Sequence, residues 1–142
     1  MIGSLMACVL AASAAQDLPP VLLQGIAAVE GGQIGTASRN RDGSYDLGPF
    51  QVNTRWLPFL EQAYSVPRGR LYTWLRDDGC FNAGIAAWIL RREIDRSGNL
   101  WFGVGRYHSA DPMRSYVYYL KVARWVTSSY GNGVIRQGES KN

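Results

Sequence analysis

The chain has one histidine, two cysteines and two lysines among its 142 residues. One histidine and so few thiols do not make a metal site of plausible spacing, so no metal and no cofactor is expected. A serine–histidine–aspartate triad would have to use His108, and no serine sits in a strand-turn-helix elbow. Glycines are plentiful, but none has the spacing of a phosphate loop. Charged residues make up only 18% against 46% hydrophobic, which excludes a disordered chain. There is no repeat, linker or low-complexity tract, so the length implies one domain.

Arginine and the amphipathic aromatics are what the chain has in excess. Thirteen arginines give most of a net charge of +4, and five tryptophans and eight tyrosines outnumber four phenylalanines. The charge suits an acidic polymer, a membrane surface or nucleic acid. No clustered basic helix speaks for nucleic acid, which is not expected as a partner. Trp and Tyr faces suit sugars, and they equally suit a helical core.

The first fifteen residues are apolar, then small, and too short to span a bilayer. Ser13-Ala14-Ala15 before Gln16, or Ala12-Ser13-Ala14 before Ala15, fits a signal-peptidase site, although no Lys or Arg precedes the apolar run. The expectation is a leader over 1–15, a domain over 16–136, a polar tail over 137–142 and a periplasmic location. Cys8 would leave with the leader. Cys80 would remain as a single buried thiol with no disulfide.

Glu30 is the residue most at odds with its surroundings. Pro19 and Pro20 suit the first turn of a helix, and Gly31-Gly32 suits its stop. Within that helix Glu30 follows Leu23, Ile26 and Ala27 at spacings of seven, four and three, on the apolar face. Burial and the negative end of the helix dipole both disfavour its ionised form, so its pKa is expected to rise from roughly 4.3 towards about 6. A carboxylic acid still protonated near neutral pH is what a general acid requires. Taken alone, Glu30 reads more readily as a buried carboxylate paired with an arginine, and only the spaced motifs below reverse that.

The rest of the chain reads as helices with one polar insertion. Residues 33–46 form a loop or small hairpin turning at Asp42-Gly43, and Asp42 and Asp46 read as turn residues. Helices follow over Trp56–Tyr64, capped by Asn53 or Thr54, then Arg70–Arg76, Phe81–Arg96, Asn99–Tyr107 and Met113–Tyr130. Phe81, Ile85, Trp88, Ile89 and Arg92 share a stripe; Trp56, Trp88, Trp101 and Trp125 read as core. The fold class expected is mainly α, a compact bundle of about six helices.

Several segments together resemble a known family. They are Glu30-Gly31-Gly32, the run from Asn40 through Gly48-Pro49-Phe50-Gln51-Val52-Asn53, Ala87-Trp88-Ile89-Leu90, and Trp101 to His108. In this order they are similar to the soluble lytic transglycosylase domain, over roughly Pro19 to Trp125. The small single-domain members that accompany type III and type IV secretion, conjugation and pilus systems are most alike. The resemblance implies a goose-type-lysozyme-like fold with an irregular insertion. It also implies cleavage of the muramic acid–glucosamine bond of peptidoglycan without water. Glycan strands, and components of such an assembly, would be the partners of a monomeric protein.

Carried over residue by residue, Glu30 is the acid and Tyr107 orients it. Gln51 meets the substrate acetamido group, and Gly48, Asn53 and Tyr118 belong to the substrate cleft. Three positions depart from the family pattern: Gly31 stands where serine is usual, and Arg106 and His108 flank Tyr107. His108 by itself reads as a structural or surface residue. Two rival functions stay open, a hydrolytic muramidase with Asp42 or Asp46 holding a water, and a non-catalytic glycan-binding subunit.

Overall fold

The computed structural model describes residues 3–131. The tail expected over 137–142 lies outside them. Among the described residues there are seven α-helices: α1 (Gly3–Ala15), α2 (Pro20–Glu30), α3 (Leu57–Tyr64), α4 (Arg68–Asp77), α5 (Gly79–Ser97), α6 (Leu100–His108) and α7 (Pro112–Tyr130). The polar insertion is an antiparallel sheet, in the order β1 (Ala37–Arg39), β2 (Tyr45–Leu47), β3 (Val52–Asn53). The expected mainly helical class is therefore observed.

Local chemistry explains most boundaries. Asn99 and Asp111 accept hydrogen bonds from the backbone N–H groups of Phe102 and Arg114, so each caps its helix. Gly31 and Gly98 end α2 and α5 in the left-handed conformation. Asn53 does cap, but it caps a short 3-10 turn over Thr54–Trp56 that precedes α3.

Helix α5 is the axis of the molecule, packed by α1, α4 and α6. Its buried positions run well beyond the stripe expected from periodicity and include Asn82, Ala83, Ala86, Ala87, Ile89 and Leu90. Small alanines let neighbours approach on several sides, which is how a helix becomes central. Of the four tryptophans expected in the core, only Trp101 is buried; Trp56, Trp88 and Trp125 are half-buried.

Asn82 organises the loop that carries the β-sheet into the core. It is fully buried, and its Oδ1 accepts from the Phe50 N–H at 2.9 Å. Its Nδ2 donates to the Leu47 and Leu75 carbonyls at 2.8 and 2.9 Å. Replacing Asn82 by alanine strands one buried N–H and two carbonyls, each costing about 1–3 kcal/mol. A loss of at least about 2 kcal/mol in urea unfolding is the expected outcome.

The disulfide of the N-terminal segment corrects the expectation of a single buried Cys80 thiol. Residues 3–15 are a helix packed on α5 and α2, with Val9, Ala12 and Ser13 buried. Cys8 and Cys80 form a disulfide spanning 72 residues, so Cys80 is neither a free thiol nor buried. The small residues Ala12 and Ser13, which read as a cleavage signal, serve here as the close-packed face of α1.

Candidate active site

Glu30 is the last residue of α2, immediately before the left-handed Gly31. Its helix crosses α7 closely because Gly25 stands at the crossing, where a Cβ would lie 3.0 Å from Val122. That approach brings Tyr118 of α7 to Glu30, and its hydroxyl donates to Oε1 at 2.8 Å. The hydrogen bond to the acid thus comes from Tyr118, whereas the resemblance gave the orienting role to Tyr107. Tyr107 is buried beside the site, but its hydroxyl donates to the Phe50 carbonyl at 2.7 Å. It braces the loop, while Tyr118 holds the acid.

The pKa of Glu30 is raised from 4.5 to about 7. Burial is the largest cause, and the like charge of Asp46 adds to it. The Tyr118 hydrogen bond and the Lys121 charge pull in the opposite direction. Among the described residues Glu30 has no ion pair. The arginine-paired buried acid is another residue, Glu93, which Arg106 and Arg96 meet at 3.4 and 3.8 Å.

Two clefts meet at this acid. The first, of about 310 Å³, is walled by polar groups of the sheet region, among them Asn40, Asp46, Gln51, Asn53 and Arg55. Trp56, Ile89 and Tyr107 also line it. The second, of about 290 Å³, is lined by Val29, Met113, Val117, Tyr118 and Lys121. Glu30, His108 and Arg114 line both. The His108 ring lies flat on Tyr118, with centroids 4.6 Å apart and planes 2° apart. Burial is the main cause that lowers its pKa.

The remaining residues expected in the site divide between ligand-facing and structural roles. Gln51 faces the first cleft from a left-handed backbone, φ 52°, an uncommon conformation for a non-glycine residue. Its Nε2 donates to the Gly48 carbonyl at 3.0 Å, which leaves Oε1 to accept from a ligand. Asn53 is held by its own loop: Nδ2 donates to Ser44 Oγ and Asp46 Oδ1, and its Oδ1 accepts from Arg55 N–H. Gly48, expected in the substrate cleft, is buried and is not among the residues that line it. Its φ is 70°, and a Cβ there would lie 2.6 Å from Asn82 Nδ2 and from the Leu75 carbonyl oxygen.

Asp42 closes its own turn by accepting from Ser44 N–H and Oγ, and those bonds lower its pKa. Asp46, expected in a turn, lies in β2 and faces the cleft. Among the described residues no group of three His, Cys, Asp or Glu side chains could hold a metal ion.

What the arrangement offers is a proton donor and acceptor at one point. With Tyr118 on Oε1, the proton of neutral Glu30 is left on Oε2, free to be given to a bound group. After transfer, the same Tyr118 bond steadies the carboxylate. Tyr118→Phe keeps the ring and removes that bond. It is expected to slow turnover about tenfold or more and to move the alkaline limb of the pH–rate profile upward. An unchanged profile would show that the bond does not act on Glu30. No family model matches this chain, and no characterised protein was found to be similar to it.

Proposed function

We propose that the protein is a peptidoglycan lytic transglycosylase on a lysozyme-like helical fold, with Glu30 as its single acid and base. The observation that carries this reading is the raised pKa, about 7, of an acid where two clefts meet, with no ion pair among the described residues. The sugars lie in the first cleft, where Trp56 offers an apolar face and Gln51 Oε1 accepts from an acetamido N–H. Neutral Glu30 gives its Oε2 proton to the glycosidic oxygen, and the bond to the anomeric carbon breaks as oxocarbenium character develops. The departing sugar takes that oxygen as a hydroxyl. The substrate's own acetamido oxygen supports the cation, so no second carboxylate is required. Ionised Glu30 then removes the proton of the muramic 6-hydroxyl, whose oxygen closes on the anomeric carbon to form the anhydro ring. Glu30 ends protonated, and no water is consumed.

A disulfide between Cys8 and Cys80 favours an oxidising compartment, which supports a periplasmic location. There the protein would act as a monomer, opening the wall for a secretion, conjugation or pilus assembly. The rival hydrolysis has one observation in its favour: Asp42 and Asp46 both line the same cleft, and either could hold a water. A glycan-binding subunit without turnover is the third possibility. Purified sacculi incubated with the protein test the reading. Soluble fragments released by the wild type and not by Glu30→Gln are expected; binding without release would refute it.

A further inference from the structure

The second cleft is built largely from one face of α7. Met113, Arg114, Val117, Tyr118 and Lys121 recur at three- and four-residue spacings and line it. Its chemistry differs from that of the first cleft. Amides, hydroxyls and carboxylates dominate the first, beside Arg55 and Arg114, whereas here Arg114 and Lys121 stand beside an apolar surface, with Met113 69% and Val117 45% exposed. Five arginines of the chain, at positions 68, 76, 91, 96 and 106, pair with carboxylates. Arg114 and Lys121 form no ion pair among the described residues. Asp111, the nearest acid in sequence, is occupied with the Arg114 backbone N–H as the helix cap. Among the described residues the only carboxylic acid lining this cleft is Glu30, which acts when protonated.

Two cations without an ion pair among the described residues, beside apolar side chains, complement an acidic group carried on short alkyl chains. We propose that the second cleft receives the acidic peptide attached to the muramic sugar, and that the protein selects peptide-bearing over bare glycan. Arg114 and Lys121 would meet the peptide carboxylates, and Met113 and Val117 its alanine methyl groups. The inference rests on the wall-cleaving reaction proposed above and names the substituent that the reaction selects. A muramic sugar placed for proton transfer from Glu30 lies at the junction of the clefts. Its lactyl-linked peptide then starts at the mouth of the second.

The test compares initial rates on intact sacculi and on glycan whose peptides have been removed by an amidase. The wild type is expected to digest the bare glycan about tenfold more slowly, the size two partly screened cations can supply. In the double variant Arg114→Gln, Lys121→Gln the ratio of the two rates should fall close to one. Both positions are exposed, so the fold should survive. Any effect of Lys121 on Glu30 acts on both substrates and cancels in the ratio. Raising the salt concentration should also reduce the wild-type ratio. Equal rates for the wild type, or an unchanged ratio in the variant, would overturn the inference and leave the cleavage reaction standing. No digestion of either substrate would overturn both.

Discussion

Glu30→Gln is expected to abolish sacculus digestion, by at least about a hundredfold, and to make the protein more stable above neutral pH. The activity loss follows because an amide cannot give up or take the proton. The stability gain follows from linkage. A carboxyl whose pKa is raised from 4.5 to about 7 binds its proton more tightly in the fold than in the unfolded chain. Its ionisation therefore costs stability, beginning as pH rises past the unfolded value and reaching its full extent above about 7. The full cost is about 3 kcal/mol for a shift of this size. Glutamine keeps the shape, still accepts from Tyr118 and never ionises. Melting temperatures should therefore be similar near pH 4 and higher for the variant near pH 8. A structural Glu30 paired with an arginine predicts the reverse, because the variant would leave an unpaired buried charge.

Reduction of the Cys8–Cys80 bond is the other large expected effect. The bond joins residues 72 apart, so it removes much loop entropy from the unfolded chain, on the order of 4 kcal/mol in the chain-entropy account. Cys8→Ala, Cys80→Ala and the double variant should all lose about this much, and the double variant no more than either single one. Wild type in reductant should melt with them. An unchanged melting temperature under reduction would contradict the prediction. The same bond bears on processing. A mature chain starting at Ala15 or Gln16, as the small-residue pattern suggests, would lack Cys8. Protein recovered from the periplasm with Cys8 in place would keep the bond, and protein starting at Ala15 or Gln16 would not; intact mass before and after reduction distinguishes the two.

What could be read from the sequence was local. Asn99, Asp111, Gly31 and Gly98 announce helix ends because a cap acts within one turn. Glu30 stood out because periodicity alone places it on an apolar face. Contacts made across the fold were not legible in the same way. Which tyrosine reaches Glu30 depends on how α2 crosses α7 at Gly25, and nothing near either tyrosine states this. The family likeness singled out Tyr107, and the geometry gives the acid to Tyr118. Asn82 does carry a local signal, an amide at the helical spacing of Ile85, Ala86 and Ile89, but its partners lie across the fold. The apolar N-terminus was ambiguous by nature, since a leader and a buried helix are both apolar and rich in small residues. Gly48 illustrates a related limit: a motif glycine near a site can serve the backbone while touching no ligand.

Mass spectrometry of the fragments that the wild-type protein releases from sacculi tests the central claim most directly. If Glu30 gives its proton to the glycosidic oxygen and then takes one from the muramic 6-hydroxyl, every new muramic end carries an anhydro ring. Such fragments are lighter by one water than hydrolytic products and resist borohydride reduction at that end. New reducing ends in place of anhydro ends would assign the chemistry to a water held near Asp42 or Asp46 and contradict the account.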